Sequence, residues 1–213
     1  MDLIKPELQR YAEQHTSPES DLLASINRET QANVMMPRML SGHLQGRVLA
    51  MISKMIRPKA ILEIGTFTGY SAICLAEGLA AGGKLITIDK NKELEEMVRR
   101  NFASANLTEL IDYRLGNAVD IVPALNTRFD LVFIDADKEN YSNYYDMVMD
   151  KLNLNGLVLA DNVLWSGKVL DVNPDKDTEG IKAFNRKVQE DGRVENVLLP
   201  IRDGIMLIRK LSL

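Results

Sequence analysis

Apolar positions change their spacing near residue 57, and the change divides the chain into two kinds of segment. Upstream the spacing is helical. Within Leu3 to Ala12, Leu8 and Tyr11 fall about one turn apart. Ser17-Pro18-Glu19-Ser20-Asp21 reads as a helix start, with Ser17 as N-cap, Pro18 in the first turn and acidic residues near the positive end. Val48, Leu49, Ile52, Met55 and Ile56 then form a helical stripe suited to packing. Downstream of residue 59 the apolar runs become short: Ala60-Ile61-Leu62, Leu85-Ile86-Thr87-Ile88, Ile111 to Leu115, Leu131-Val132-Phe133-Ile134 and Leu157-Val158-Leu159. Candidate helices of roughly ten to fifteen residues separate them, which predicts repeated strand-helix-strand units and a parallel sheet covered on both faces. The end differs. Val194 to Ile201 and Ile205 to Arg209 are joined only by Arg202-Asp203-Gly204, a connection that permits an antiparallel hairpin but no parallel crossover. The expected fold is α/β, with a mostly parallel sheet, an antiparallel C-terminal hairpin and extra N-terminal helices.

Composition narrows the class. The 213 residues are 46% hydrophobic and 26% charged, which suits one globular domain: a helical cap over 1–56 and an α/β core over 57–213. A net charge of −4 offers no global attraction to phosphate backbones or anionic lipid, so neither a membrane nor non-specific nucleic acid is an expected partner. The single cysteine, Cys74, cannot close an internal disulfide. With no basic-then-apolar leader and no run of about 18 uncharged apolar residues, the expected location is the reduced cytoplasm.

Ligands of open α/β sheets bind outside the carboxyl ends of the strands, so the residues just after each run carry the candidate chemistry. After the first run stands Glu63-Ile64-Gly65-Thr66-Phe67-Thr68-Gly69-Tyr70-Ser71, whose glycines permit a tight turn and close approach of a ligand to the backbone. After the second stands Asp89, placed to accept hydrogen bonds from ribose hydroxyls. The pair signals a nucleoside cofactor. A dinucleotide site wants Gly-x-Gly-x-x-Gly, yet Phe67 fills the place of the second glycine and Glu63 adds a carboxylate. That chemistry favours a cofactor carrying an ammonium and a sulfonium, S-adenosylmethionine, over a pyrophosphate; a dinucleotide and a plain tight turn stay open on the loop alone. Gly78 to Lys84 fits most of a P-loop expression, but Leu85 replaces the required Ser or Thr and the segment precedes a strand.

The fourth run ends in Asp135-Ala136-Asp137-Lys138 and the fifth in Asp161-Asn162. If those strands are neighbours, Asp135, Asp161 and Asn162 converge at one edge of the cleft as a hard, all-oxygen set suited to Mg²⁺ or Mn²⁺. Neither histidine nor Cys74 joins them, which disfavours zinc. Elsewhere the plainer readings lead: packing for Tyr141, Tyr144 and Tyr145, surface roles for His15 and His43, a core role for Cys74. Trp165 is either a substrate wall or a loop anchor, and the 166–177 loop either a lid or a plain connection.

With those residues in hand, the chain resembles the cation-dependent O-methyltransferases of the catechol and caffeoyl-CoA type. The resemblance is carried by Leu62 to Ser71, by Phe133-Ile134-Asp135-Ala136-Asp137-Lys138-Glu139-Asn140-Tyr141 and by Ala160-Asp161-Asn162-Val163-Leu164, and it spans roughly residues 35 to 213. It implies a Rossmann-like methyltransferase sheet. It also implies that Glu63 holds the methionine end or ribose of S-adenosylmethionine, that Gly65 and Thr66 line it, and that Ser71 binds its carboxylate. Asp89 would take the ribose hydroxyls and Ala118 would contact adenine. Met39 and Ser41 match positions that touch the cofactor, although Arg38-Met39-Leu40-Ser41-Gly42 departs from the usual spelling. Asp135, Asp161 and Asn162 would ligate Mg²⁺, or Mn²⁺ or Ca²⁺ in its place, with Asp135 also beside the cofactor. Lys138 would be the catalytic base. Asp137 aligns with a residue that differs between branches and is assigned no role.

The implied reaction is methylation of a hydroxyl on a small catechol-like or phenolic acceptor. The acceptor would chelate the metal through two adjacent oxygens, and Lys138, its pKa depressed by the nearby cation, would take the proton. Relatives are often dimers, so a homodimer is expected. The competing readings are a methyltransferase acting on hydroxylated uridine in transfer RNA and a non-catalytic cofactor-binding module. The acidic balance argues against the first and the complete metal set with Lys138 against the second, while a dinucleotide oxidoreductase fails on Phe67 and the missing third glycine.

Overall fold

The computed structural model describes residues 4–212. Seven strands form one sheet: β1 (Ala60–Ile64), β2 (Lys84–Asp89), β3 (Ile111–Leu115), β4 (Phe129–Ile134), β5 (Leu152–Asp161), β6 (Val194–Leu199) and β7 (Ile205–Lys210). Their order is β3-β2-β1-β4-β5-β7-β6, parallel through β5 and antiparallel at β7 and β6. The central strands are apolar on both faces because helices cover both. On one face α6 (Ala118–Ala124), α7 (Tyr141–Lys151) and α8 (Lys176–Glu190) pack around Tyr145, Phe184 and Val188. On the other, α2 (Asp21–Asn33), α3 (Gly42–Ile56), α4 (Tyr70–Ala76) and α5 (Glu95–Ser104) pack around Leu49, Leu75 and Phe102. The predicted α/β architecture, with its C-terminal hairpin and N-terminal helices, is the observed one.

Boundaries differ in instructive ways. The first helix, α1 (Pro6–Gln14), covers most of the predicted segment, of which Leu3 lies outside the described residues. The second begins at Asp21, capped by the Ser20 hydroxyl accepting from the Leu23 N–H at 3.3 Å, not by Ser17. The cause is tertiary: Glu19 is drawn inward by the Tyr70 hydroxyl, which donates to it at 2.5 Å. A stretch beginning at Ser17 therefore stays extended until Ser20. Polar strand ends were also undercounted, since Asp89 and Asp161 are the last residues of β2 and β5 and not the first of the following loops.

Because β1, β2, β4 and β5 run parallel, their carboxyl ends open on one side of the sheet. The chain reverses between β1 and β4 in sheet order, which leaves a crevice there. Gly65 fixes the width of that crevice. It sits at φ 104°, and a Cβ on it would lie 1.8 Å from the Asp135 carbonyl oxygen, so the end of β1 touches the end of β4 backbone to backbone.

Candidate active site

A cavity of about 1110 Å³ occupies these strand ends. Met39, Ser41, Gly65, Thr66, Ser71, Asp89, Ala118, Asp135, Lys138, Asp161 and Asn162 all line it. Trp165, Tyr144, Arg202 and Asp203 complete part of the wall, and from the 166–177 loop Ser166, Lys168 and Asp177 reach it. Among the described residues no helix is long and apolar enough to cross a membrane.

The loop after β1 is held by acids from the neighbouring strand. Asp89 Oδ2 accepts the N–H groups of Thr66 at 3.0 Å and Phe67 at 2.7 Å, while Oδ1 accepts the Asn91 N–H at 2.9 Å. These bonds stabilise Phe67 at φ 50°, the left-handed backbone that a glycine would adopt without strain. Asp89 thus anchors the loop as well as facing the cavity, a role that sequence spacing did not reveal. Glu63 lies beneath the floor, fully buried and absent from the wall. A relay connects it upward: Thr66 and Thr87 share a hydroxyl hydrogen bond at 2.6 Å, and Thr87 donates to Glu63 Oε2. Glu63 Oε1 is buried without a partner. Burial pushes the Glu63 carboxyl up to about 8, the Ser71 and Thr87 hydroxyls offset part of this, and Asp135 and Asp89 add to it.

At the other end the predicted cluster converges, because β4 and β5 pair side by side. Lys138 Nζ donates to Asp135 Oδ1 at 3.1 Å, Asn162 Oδ1 at 2.8 Å and the Tyr141 hydroxyl at 2.7 Å. Its ammonium lies 5.7 Å from the Trp165 ring centroid. Tyr141, whose oxygen must accept from the ammonium, donates its own O–H to the Asp161 main-chain carbonyl at 3.0 Å. Burial alone would lower the basicity of Lys138. The Tyr141 oxygen and the Asp135 and Asp161 carboxylates outweigh it and hold Lys138 above its ordinary value. These groups hold Lys138 protonated, whereas the depression expected from sequence is the effect of a cation bound beside it. Asp161 is pushed up to about 6, by burial first and by Asp135 second. The third oxygen comes from Asn162, whose φ of 58° is left-handed, a strained arrangement retained at the mouth of the site.

Three residues in this half escaped the sequence reading. Gln45 of α3 donates through Nε2 to Asp161 Oδ2 at 2.7 Å, and its Oε1 accepts from Arg202 Nη1 at 2.9 Å. Arg202 also binds the carbonyls of Leu40, at 3.1 Å, and Ser41. Asp203 accepts from the Asn162 side-chain amide at 3.4 Å and from the Ser166 N–H. A signal existed for Gln45: it shares a helical stripe with Leu49 and Ser53, an amide on a buried face. Of the three tyrosines, Tyr144 faces the cavity and donates to Asp137 at 2.6 Å, Tyr141 supports Lys138, and Tyr145 points away to Asp191. Trp165 is a wall residue with its indole N–H buried and unpaired. His15 and His43 bond main-chain carbonyls of Tyr11 and Ser17, and Cys74 is buried in the core.

The chain is similar to known proteins over most of its length. A family model described as O-methyltransferase matches residues 13–211. Caffeoyl-CoA O-methyltransferase 1 of Eucalyptus globulus is 35% identical over 181 residues, 79% of this chain and 73% of that protein. Catechol O-methyltransferase of Niastella koreensis is 34% identical over 183 residues, 84% of this chain and 82% of that protein. The crystal structure of an O-methyltransferase from Bacillus cereus in complex with SAH superposes with a TM-score of 0.88 at 28% identity, covering 96% of this chain and 97% of the other.

Proposed function

The chain belongs to the O-methyltransferase family, and from that premise we propose that it transfers a methyl group from S-adenosylmethionine to a hydroxyl of a small catechol-like or phenolic acceptor, with a divalent cation as cofactor. One observation carries the reading: Asp135, Asn162 and Lys138 meet within hydrogen-bond distance, with Asp161 joined to them through Tyr141, at the edge of a cavity whose other edge is the Gly65 to Ser71 loop. A volume of about 1110 Å³ is just above the usual range of single-ligand pockets, room for a donor and a small acceptor side by side.

The donor set fits a hard cation. Two carboxylates and an amide oxygen supply only oxygen ligands, and the Lys138 ammonium already bridges two of them as a positive charge. Only two of the three are carboxylates, so among the described residues there is no cluster of three His, Cys, Asp or Glu side chains. Glu63, buried beneath the floor, is connected to the cavity through the Thr87 and Thr66 hydroxyls. Ser71 and Thr66 face the cavity, while Ala118 starts α6 with a small side chain suited to a flat base.

When bound, the donor supplies an electrophilic methyl and the cation lowers the pKa of the hydroxyl it binds. Lys138 Nζ takes the acceptor's proton. To be neutral it must be freed from the carboxylates that now hold it charged, which requires their charge to be compensated by something other than Lys138. Tyr141 keeps Nζ at this edge throughout. Tyr144 and Trp165 provide an aromatic wall suited to a phenolic ring. Holding both reactants against one rigid set of strand ends supplies much of the acceleration.

Methyl transfer to a panel of catechols, acyl-CoA phenolics and hypomodified transfer RNA, each with and without chelator, tests the assignment. The expected result is turnover of dihydroxyphenols that chelator abolishes. Turnover unchanged by excess chelator overturns the cation's role, and turnover of transfer RNA alone overturns the acceptor class.

A further inference from the structure

Resting on the reading of Asp135, Asp161 and Asn162 as cation ligands, we propose that Gln45 and Arg202 are positioning residues of that centre: Arg202 orients the Gln45 amide, and Gln45 fixes the rotation of the Asp161 carboxylate. Gln45 is fully buried, so its amide must find partners inside the protein. It has two. Nε2 donates to Asp161 Oδ2 at 2.7 Å, and Oε1 accepts from Arg202 Nη1 at 2.9 Å.

The order of those two bonds is dictated by Arg202. A guanidinium only donates, so the Gln45 atom facing it has to be the oxygen, which leaves the NH₂ facing Asp161. A flipped amide would set donor against donor at Arg202 and oxygen against oxygen at Asp161. Arg202 cannot easily turn away, because the same Nη1 is held by the Leu40 and Ser41 carbonyls. On the far side, Asp161 Oδ1 accepts the Asn162 N–H at 2.8 Å. Each carboxylate oxygen is thus engaged once, and its remaining lone pairs have one orientation. Asp203, next to Arg202, acts on the neighbouring ligand: it accepts from Asn162 Nδ2 and leaves Oδ1 turned toward Lys138. The tip of the β6–β7 hairpin therefore orients two ligands at once, one through Gln45 and one directly.

Partners of this kind set ligand geometry, and losing one typically costs about 10–100-fold in metal affinity. The test is titration of the cofactor-free full-length protein with Mn²⁺, reading free Mn²⁺ by its paramagnetic resonance signal, so that no turnover is needed. Gln45→Leu is expected to weaken Mn²⁺ binding about 10–100-fold, while its affinity for S-adenosylhomocysteine changes less than about twofold. Arg202→Met, at a hairpin turn outside the core, serves as the second variant and is expected to weaken Mn²⁺ about tenfold. The double variant should bind no worse than Gln45→Leu, since Arg202 acts through Gln45. An unchanged Mn²⁺ affinity in either single variant, additive losses in the double variant, or equal losses of Mn²⁺ and S-adenosylhomocysteine binding would each overturn the proposal. Equal Mn²⁺ binding by the parent protein and Asp161→Ala overturns instead the assignment of Asp161 as a ligand, and this proposal with it.

Discussion

On the β1–β2 side of the cavity, the groups that meet come from segments 22 to 24 residues apart: Asp89 holds the Thr66 and Phe67 N–H groups, and Thr87 reaches Glu63. On the β4–β5–β7 side, Gln45 reaches Asp161 across 116 positions and Arg202 reaches Gln45 across 157. The glycine loop of the first side is held by two adjacent parallel strands, with Met39, Ser41 and Ala118 brought to the same cavity from further off. The second needs a cap helix, two strand ends and a hairpin docked together. Local geometry therefore secures the proposed donor half, whereas the proposed cation half depends on the tertiary structure as a whole, and the two should fail differently when damaged.

The sharpest way to separate them is Asp161→Ala, expected to reduce methyl transfer about a hundred- to a thousandfold, the scale of losing one essential electrostatic group. Binding of S-adenosylhomocysteine, followed by calorimetry, should survive within a few-fold; its loss would mean that the halves are not separable. Gly65→Ala attacks a close backbone contact between them. A methyl group 1.8 Å from the Asp135 carbonyl must displace either β1 or β4, so thermal unfolding should fall by about 2–4 kcal/mol and both ligands should weaken together.

Acidity offers a third probe, confined to the donor half. The folded protein retains a proton on Glu63 up to about 8, while an unfolded chain releases it in the ordinary carboxylate range. With more protons bound in the folded state, stability without ligand must fall as pH rises between those limits. If the donor binds over an ionised Glu63, its affinity rises about tenfold per pH unit below 8 and then levels. Glu63→Gln should flatten both profiles, and parent-like slopes in that variant would remove Glu63 from the donor site. The smallest effect belongs to a residue outside both halves. Tyr145→Phe removes a hydroxyl that donates to Asp191 at 2.8 Å, which should cost about 1 kcal/mol in denaturant melts and leave both affinities unchanged.

What could be read in the sequence follows the same division. Strand cores, the glycine loop, Asp89 and the clustering of Asp135, Asp161 and Asn162 were legible because each sits at a fixed offset from an apolar run. The start of α2 was not, since Ser17 and Ser20 are equally good caps until Tyr70 claims Glu19 from a distance. Arg202 and Asp203 carried no local mark, since their partners are set by tertiary docking, and Gln45 carried only that of a polar residue on a buried helical stripe. Not legible either was the Tyr141 oxygen beside Lys138, which is placed by α7 packing and not by spacing, and which with Asp135 and Asp161 holds the ammonium charged.

The strand order has a consequence for the time at which this molecule becomes functional. β7 lies between β5 and β6, so β6, though made earlier, has no partner in the sheet until residues 205–210 arrive. During synthesis, β5 therefore carries the Asp161 end with one edge open, and the hairpin tip that braces it cannot dock. The loops after β1 and β2 contain no residue of this hairpin, whereas the Asp161 end is braced only once residues 205–210 pair with β5, and the open edge of β5 is until then the surface most exposed to wrong pairing.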